Sequence, residues 1–433
     1  MAMDGKELVE KLAKLSQVQS IKDIPQLTHA LFPGTHCPLM GAAMAVGGIK
    51  DSLIVVVGTD ECTYYTKSMT IHSEKFGGIG GRCVSVVLDD HDVTFGSAEK
   101  VQEAFKEIIE EYRPQCVFLV TTCVIEIIGD DFDAISEGLS ELYGIPVLPV
   151  HTEHFKCEDH LPGLERTITV CAEMMKSCDC DNSVNLLGQR MGDFATTELY
   201  AMLQKAGVKI GLQLPCGCSV DDIKNAAAAK VNIVVNDIAL PLAQKMQEKF
   251  GIPYVYFNKF VIPEKIYEAY KNLFVYLDLE LPGELEGLYQ NAREKIEKNK
   301  GELEGITYIY GNTPYAVFEM NCFLSSLGMV PQVIQTNRYT EADEPYAKEI
   351  LQYTDPYVCK AANIAPLQYV YDVLSPYLYL GHEFGNRLRQ KGIAIVHSDR
   401  ASGMLGFEVT GYLLQQLVKS VREAKEYRKE LCL

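Results

Sequence analysis

Residues 117–131 read Val117-Phe118-Leu119-Val120-Thr121-Thr122-Cys123-Val124-Ile125-Glu126-Ile127-Ile128-Gly129-Asp130-Asp131. The apolar run that opens this stretch predicts a buried strand, and Cys123 follows it closely. The polar Gly-Asp-Asp run further on is typical of a loop, which suits a ligand site better than a core. The stretch therefore predicts a strand that ends in a loop presenting a thiol.

Two more cysteines lie in loops of the same kind. Cys62 follows the apolar run 53–57 closely, and Pro38 follows Cys37. In an open parallel sheet, ligands gather outside the carboxyl ends of the strands, so cysteines at two such ends can be neighbours. If each turn opens into a helix, the helix N-terminus favours the thiolate, which both iron and zinc bind. The alternative is that each cysteine is a small buried hydrophobe.

Apolar, β-rich runs alternate with longer helical stretches along the chain. The predicted strands are 53–57, 84–88, 117–120, 147–150, 184–187, 209–214, 231–235, 254–257, 306–310, 330–335, 377–380 and 393–396. Strands that alternate with helices are typical of repeated βαβ units and of doubly wound parallel sheets. The sequence predicts an α/β fold with three Rossmann-like domains, each a parallel sheet flanked by helices.

Two stretches set the predicted boundaries between these domains. The polar stretch 176–182 interrupts the periodicity and predicts a linker, and a charged helix over 282–301 leads into the last third of the chain. The predicted domains are therefore 1–182, 183–300 and 301–433.

Composition and charge exclude several classes of protein. The 433 residues include 40 Lys and Arg against 58 Asp and Glu, a net charge of −18 that argues against nucleic acid or an anionic membrane surface as partner. Residues 1–20 lack the apolar region of a signal peptide, and no window approaches ~18 uninterrupted apolar residues. We therefore expect a cytoplasmic protein. In that compartment the 14 cysteines indicate metal or redox chemistry rather than a disulfide framework.

The three cysteine motifs resemble those of the nitrogenase component 1 superfamily in order and spacing. Cys62 comes 25 residues after Cys37, and Cys123 comes 61 residues after Cys62. The superfamily includes both subunits of the molybdenum-iron protein, cofactor-assembly scaffolds and the dark-operative protochlorophyllide and chlorophyllide reductases. The similarity covers nearly the whole chain, and the Ile-Ile-Gly-Asp-Asp run at 127–131 is especially close to the family pattern.

The resemblance implies that Cys37, Cys62 and Cys123 bind an iron-sulfur cluster with four or eight irons at a subunit interface. Three thiolates cannot complete the four protein ligands of an ordinary cubane, so a second component-1-type chain, identical or paralogous, should supply the rest. Cys83, Cys116 and Cys157 are candidates for an internal fourth ligand, although Cys116 opens an apolar strand and fits a core position better.

A second metal-sulfur cofactor lies between the domains of catalytic members and is tied by one cysteine and one histidine. His397 aligns with that histidine, but Asn236 occupies the place of the cysteine. An amide cannot replace a thiolate as an iron anchor. This departure puts the nitrogenase-type cofactor in doubt, and the cavity around His397 and Asn236 could instead hold an organic substrate, as in the tetrapyrrole reductases.

Two functions follow from the resemblance. The first is a nitrogenase-like oxidoreductase subunit, which takes electrons from an ATP-hydrolysing iron protein through the interface cluster and reduces a substrate in the inter-domain cavity. The chain has no G-x-x-x-x-G-K-[ST] sequence, so ATP hydrolysis is expected in that separate partner. The alternative is a scaffold on which a metal-sulfur cofactor is assembled, or a tetrapyrrole reductase subunit.

Two further groups of residues leave their role open. The pairs Cys178/Cys180 and Cys216/Cys218 have a C-x-C spacing that lets both sulfurs approach one metal, but they also fit metal-free thiols. Residues 151–160 concentrate histidine and carboxylate side chains, which suit either a proton-handling or docking loop or an ordinary polar surface loop.

Overall fold

The structure is a computed structural model that describes residues 5–27, 36–71, 79–157, 159–190, 192–311, 313, 315–360 and 364–432. The first elements along the described chain are α1 (Gly5–Glu10) and β1 (Ala13–Lys14). None of the helices in these ranges is long and apolar enough to cross a membrane.

The first sheet is parallel, and its strand order is β4-β3-β5-β6. The elements of this region are α2 (Pro38–Gly47), β2 (Ile49–Lys50), β3 (Ser52–Gly58), α3 (Asp60–Ile71), β4 (Cys83–Val87), α4 (Asp90–Phe95), α5 (Ala98–Tyr112), β5 (Cys116–Thr121), α6 (Cys123–Ile128), α7 (Phe132–Tyr143), β6 (Val147–Val150) and α8 (Leu161–Val170). Every residue of β3 and β5 is buried, because helices cover both faces of a parallel sheet.

The second sheet is also parallel, with the strand order β11-β10-β7-β8. Its region contains β7 (Val184–Gln189), α9 (Glu198–Lys205), β8 (Ile210–Pro215), β9 (Cys218–Ser219), α10 (Val220–Lys224), β10 (Val231–Val234), α11 (Leu240–Phe250), β11 (Tyr254–Tyr256), α12 (Pro263–Leu277) and α13 (Leu285–Leu303). A single apolar cluster includes Val56 and Val120 of the first sheet and Leu187 and Val234 of the second. The two sheets therefore share a core.

The third sheet has the order β1-β14-β13-β12-β15-β16, and all its pairs except β1 with β14 are parallel. Its region contains β12 (Thr307–Tyr310), α14 (Val317–Ser326), β13 (Val330–Gln335), α15 (Glu344–Ile350), β14 (Tyr357–Cys359), α16 (Ile364–Leu374), β15 (Leu378–Leu380), α17 (Gly385–Arg389), β16 (Ala394–Val396) and α18 (Glu408–Glu430). Three parallel sheets flanked by helices confirm the predicted α/β fold.

The predicted linker 176–182 contains no helix or strand. The boundaries at 182 and 300 stay predictions, and one part of the chain crosses them. The predicted division gave residues 5–27 to the first domain, but β1 pairs with β14, and Leu8 and Leu15 pack in apolar clusters of the third sheet.

Each sheet has a point at which the strand order reverses. In the first sheet, β4 lies on one side of β3 and the later β5 lies on the other, and β8 and β10 flank β7 in the same way in the second sheet. Such switch points open a crevice at the carboxyl ends of the two strands, where ligands of open α/β sheets bind. The crevices between β3 and β5 and between β7 and β10 are therefore the places to look for function.

Candidate functional site

Two of the three predicted cluster cysteines lie at the switch point of the first sheet. Strands β3 and β5 pair in parallel with Val57 opposite Thr121. Cys62 lies in the first turn of α3, just beyond β3, and Cys123 is the first residue of α6, just beyond β5. The fold therefore carries both thiols to the same edge of the sheet.

The backbones of these two loops approach each other closely. Gly58, the last residue of β3, has a φ of +156°, and a Cβ built on it would lie 1.9 Å from Thr122 Oγ1. Thr122 directly precedes Cys123. Only glycine fits this position, so the residue type at 58 allows the two cysteine loops to lie side by side.

Cys37 reaches the same region from a different element. It is the N-cap residue of α2, with Pro38 in the first turn, and α2 packs against α3 and α8. Cys37 and Cys62 are both half-buried and both pack against the apolar cluster that the first two sheets share. All three predicted ligands thus lie at or near the N-terminus of a helix.

The thiols at the switch point receive hydrogen bonds suited to a thiolate ligand. Thr59 Oγ1 donates to Cys62 Sγ at 3.5 Å, and the backbone N–H of His154 donates to Cys123 Sγ at 3.4 Å. Positive helix ends and such donors stabilise sulfur ligands of iron and tune their potential. The buried hydroxyl of Thr122 has no hydrogen-bond partner among the described residues. These observations fit an iron-sulfur cluster held by Cys37, Cys62 and Cys123.

A polar network fixes the loop that follows β6 against the Cys123 loop. Thr121 Oγ1 donates to Glu126 Oε1, and a hydrogen bond of 2.8 Å joins the same oxygen to His151 Nδ1. The backbone N–H of Thr152 donates to Thr121 Oγ1 at 3.1 Å. The position of Cys123 is therefore tied to the neighbouring loop.

A buried ion pair holds the same loop from its other side. Arg166 Nη1 donates to Glu153 Oε2 at 2.6 Å and to the carbonyl of His151 at 2.7 Å. Burial alone would raise the pKa of Glu153, but its hydrogen bonds and Arg166 hold that pKa below the ordinary value. Glu153 is therefore an ionised, paired structural residue.

The rest of the histidine-rich stretch 151–160 has mixed environments. His154 is exposed, while burial and Arg190 lower the pKa of half-buried His160 to about 4. Glu158 lies outside the described residues. Within the described ranges, no group of three His, Cys, Asp or Glu side chains, Cys37, Cys62 and Cys123 included, could hold a single metal ion, so the three cysteines would need a larger cluster between them.

The candidates for an internal fourth ligand differ in position. Cys83 and Cys116 open β4 and β5, at the amino edge of the sheet and away from the switch-point crevice. Burial raises the thiol pKa of Cys83 to about 11 and that of Cys116 to about 12. Both are core residues. Cys157 lies in the loop after β6, and burial raises its pKa as well.

The two C-x-C pairs have different surroundings. Cys178 and Cys180 are exposed, whereas Cys218 is buried in β9 and Cys216 Sγ contacts the carbonyl of Arg190 at 3.2 Å. Burial raises the pKa of both Cys216 and Cys218, the latter to about 12. Among the described residues, these four cysteines do not form a group that could hold a metal ion.

The two predicted cavity residues lie in separate sheets. Asn236 follows β10, and its Oδ1 accepts a hydrogen bond of 3.2 Å from the backbone N–H of Ile238, which caps the short turn Asp237–Ala239. His397 follows β16 and is exposed. It lines a cavity of about 130 Å³ together with His382, Glu383 and Asp399. No hydrogen bond between Asn236 and His397 occurs in the described structure.

Three charged side chains near the second switch point were missed by sequence reasoning. Arg190 follows β7, Lys259 follows β11, and Glu319 lies on α14 of the third sheet region. Arg190 Nε and Glu319 Oε1 are buried without a hydrogen-bond partner among the described residues, and Lys259 is 6% exposed. Burial lowers the pKa of Lys259 to about 7 and raises that of Glu319 to about 7. For Arg190 and Lys259, the only signal in the sequence was their position shortly after a predicted strand.

Large apolar side chains surround the cysteine loops on the protein surface. Ile127 is 74% exposed and Tyr65 is 67% exposed, and Tyr64, Phe95 and Phe155 are exposed as well. Concentrated exposed apolar side chains of this kind mark interaction sites. We name these five residues the apolar rim.

The chain is similar in sequence to known proteins over most of its length. The family model described as nitrogenase component 1 type oxidoreductase matches residues 37–422. The chain is 31% identical over 224 residues to the nitrogenase iron-molybdenum cofactor biosynthesis protein NifE of Clostridium pasteurianum. The aligned segment covers 51% of this chain and 49% of that protein. The chain is 24% identical over 332 residues to the nitrogenase molybdenum-iron protein alpha chain of Methanosarcina barkeri, covering 72% and 62%. The chain thus spans about half to two thirds of the length of these relatives.

A solved structure shows the same fold. The chain resembles the structure titled nitrogenase Cp1 at pH 6.5 with a TM-score of 0.76 at 15% identity, over 92% of this chain and 94% of that one. A similarity at this level of identity supports the architecture and not the activity.

Proposed function

The chain belongs to the nitrogenase component 1 type oxidoreductase family, and we propose that it is a cluster-binding subunit of such an oxidoreductase. In this proposal, Cys37, Cys62 and Cys123 bind a four-iron or eight-iron cluster shared with a second component-1-type chain. An ATP-hydrolysing iron protein donates the electrons, and the substrate is reduced between the domains. The observation that carries the proposal is the location of Cys62 and Cys123 at the carboxyl ends of β3 and β5.

The residues around the thiols would perform defined tasks. When bound, an iron-sulfur cluster supplies one-electron transfer at a tunable potential. Thr59 and the backbone N–H of His154 donate to the sulfur ligands, which favours the thiolate form. The network of Thr121, Glu126 and His151 fixes the Cys123 loop, so that the ligand geometry exists before the cluster binds.

The apolar rim supports a shared cluster. Ile127 comes four residues after Cys123, and Tyr64 and Tyr65 come two and three residues after Cys62 on α3. Exposing such side chains to water is unfavourable, and a protein partner that covers them would also exclude water from the cluster. A second chain that contributes thiolates at this surface would both cover the apolar rim and exclude water from the cluster.

The test is the iron and acid-labile sulfide content of the chain after anaerobic purification with its partner. We expect about two irons per chain for a four-iron cluster shared by identical chains and about four for an eight-iron cluster. Cys62→Ala and Cys123→Ala should each lose most of this iron, because each removes a thiolate ligand. A larger excess of iron would indicate a second cofactor.

The matched control is Cys116→Ala, which removes a thiol from the opposite end of β5. Cys116 is fully buried, so this variant should lose stability but keep its iron. Equal iron in Cys123→Ala and Cys116→Ala, or no iron in a folded wild-type chain with its partner, would rule out the cluster assignment.

A second candidate function is a scaffold for assembling a metal-sulfur cofactor. Two observations favour it: a relative with 31% identity is named as a cofactor biosynthesis protein, and Asn236 stands where a thiolate anchor would be expected. A scaffold benefits from weak anchoring, because its product must leave. The test is transfer of metal from the loaded chain to a cofactor-free acceptor. Transfer without ATP-dependent substrate reduction would favour the scaffold, and the reverse would favour the reductase.

A further inference from the structure

Two cations at the second sheet, half-buried Arg190 and buried Lys259, form no ion pair in the described part of the chain. Arg190 Nε is buried and makes no hydrogen bond, and no carboxylate lies within 4.0 Å of the guanidinium in the described part of the chain. Lys259 is 6% exposed, and among the described residues its ammonium makes no hydrogen bond or ion pair. A buried charge is costly unless it is paired, so each cation destabilises the ligand-free chain.

The two cations also act on each other. Burial is the main cause of the lowered pKa of Lys259, and the charge of Arg190 lowers it further. Burial likewise lowers the pKa of Arg190 and Arg338 adds to the effect, whereas Asp159 and Cys216 partly oppose it. The two cations therefore lie close enough to repel each other, and Asp159 offsets only part of the cost of burying Arg190.

Arg82 is another half-buried arginine, and its guanidinium finds hydrogen-bond acceptors within the chain. Arg82 Nη1 donates to the carbonyl of Ile49 at 2.6 Å, and its Nη2 donates to the carbonyl of Gly47 at 2.9 Å. Arg82 therefore supports the local structure. Arg190 has no equivalent set of acceptors, which indicates that its acceptor comes from outside the chain.

The carboxylate that acts on Arg190, and the one that follows β10, are both engaged elsewhere. Asp159 Oδ1 accepts a hydrogen bond of 2.8 Å from the backbone N–H of Leu161, at the start of α8. Asp237 Oδ1 accepts from Tyr256 OH and from Asn258 Nδ2. Neither forms an ion pair with Arg190 or Lys259 in the described structure, so the cations remain available to a ligand.

The position of the cations is that of a ligand site. Arg190 follows β7 and Lys259 follows β11, whose neighbour β10 forms the other side of the switch point. A glycine, Gly188, allows the loop after β7 to approach the one after β10, because a Cβ there would lie 2.9 Å from the Cβ of Asn236. The cations thus stand where open α/β sheets bind their ligands.

We infer that the crevice at the carboxyl ends of β7, β10 and β11 binds a small ligand bearing an oxyanion, a carboxylate or a phosphate, through Arg190 and Lys259. A guanidinium binds either group through paired hydrogen bonds, and an ammonium adds a point charge. The inference rests on the proposed function, since this crevice is the inter-domain position assigned there to the substrate. It adds that Arg190 and Lys259 hold the ligand by charge, in a crevice where Asn236 stands in the place of a thiolate anchor.

The test compares thermal unfolding of the full chain in malonate, in phosphate and in chloride at equal ionic strength. A specific oxyanion should raise the unfolding midpoint by about 3–5 °C over chloride at saturating concentration. Arg190→Met and Lys259→Met should each abolish this rise. In chloride, both variants should unfold at or above the wild-type temperature, because each removes an unpaired buried charge. A rise with malonate alone identifies a carboxylate site, and a rise with phosphate alone identifies a phosphate site.

Arg82→Met is the matched control. It should unfold at a lower temperature in chloride but keep the full rise with the oxyanion, and any general stabilisation by salt would appear in it too. The inference is overturned if neither anion exceeds chloride, if Arg190→Met and Lys259→Met keep the rise, or if both lose stability in chloride as Arg82→Met does. Iron measured on the same samples separates the two proposals, since a failed oxyanion site leaves the cluster content unchanged.

Discussion

The crevices of the first and second sheets have the same topology but differ in whether their charged side chains are paired. At the first, a glycine ends β3, two thiols follow the strands, and the surrounding Glu126 and Glu153 are paired. At the second, a glycine lies near the end of β7, but the buried Arg190 Nε and the ammonium of buried Lys259 have no hydrogen-bond partner within the described ranges. The difference indicates that the protein itself preorganises the first crevice, whereas the second becomes electrostatically complete only with a ligand.

Two buried glutamates differ in the same way, because one is paired and the other is not. Substituting them gives the test of this contrast with the largest expected effect. Glu153 is 6% exposed and paired with Arg166, while Glu319 is 5% exposed and its Oε1 has no hydrogen-bond partner within the described ranges. Lys265, Asp237 and the backbone of Val261 are the groups that act on Glu319. The two glutamates therefore differ in pairing rather than in burial.

Glu319→Gln should change how stability depends on pH. Burial raises the pKa of Glu319 from 4.5 to about 7, so the folded chain binds a proton that the unfolded chain has released between these values. The contribution of Glu319 to the free energy of unfolding should therefore fall by about 3 kcal/mol as the pH rises from about 4.5 to about 7. Glutamine cannot ionise and should remove this loss. Urea unfolding at pH 5 and pH 8 measures the difference.

Glu153→Gln is the control for that prediction. It weakens a charge-assisted hydrogen bond to Arg166 and should lower the free energy of unfolding at pH 7 by about 2 kcal/mol. If Glu319→Gln also destabilised the chain at pH 8, the carboxylate would have a partner, and the second crevice would be as well satisfied as the first.

The two crevice glycines provide the next test. Gly58→Ala should cost about 2–3 kcal/mol, because its Cβ would lie 1.9 Å from Thr122 Oγ1 and its φ is positive. The variant should also bind less iron, since Thr122 is displaced beside Cys123. Gly188→Ala, with a φ of +97° and a contact of 2.9 Å to Asn236, should also destabilise the chain but leave the iron content unchanged. Denaturant unfolding and iron analysis measure both effects.

Gly138→Ala serves as the matched control for the glycines. Gly138 lies inside α7, and a Cβ there would meet nothing within 4 Å. Alanine should stabilise the helix by up to about 1 kcal/mol. Full iron content and wild-type stability in Gly58→Ala would show that the two cysteine loops do not depend on their close approach.

The first crevice could be predicted from the sequence and the second could not, for a physical reason. Cysteine is rare and chemically specific, so Cys62 and Cys123 directly after apolar runs already indicated a thiolate site. Arginine and lysine are common surface residues, and only burial without a partner distinguishes Arg190 and Lys259. That property depends on tertiary packing, which no local pattern contains.

The same distinction applies to the fold. Strands β3 and β5 are buried on both faces and read as continuous apolar runs, which made them easy to predict. Strands β1 and β14 were missed, because they have two and three residues and form through pairing with each other and with the third sheet. The long buried strands could be read from the local sequence, whereas β1 and β14 depend on pairing between distant parts of the chain.

The smallest expected effect separates two adjacent threonines in the first crevice. Thr121 Oγ1 bonds to Glu126 and to the backbone of Thr152, whereas Thr122 Oγ1 is buried without a partner in the described part of the chain. Thr121→Val should therefore lower the free energy of unfolding by about 1–2 kcal/mol, and Thr122→Val should change it by less than about 0.5 kcal/mol. Denaturant unfolding of the iron-free chain measures both. An equal loss in the two variants would mean that the Thr122 hydroxyl is satisfied, and the first crevice would then contain no polar group waiting for a bound cluster.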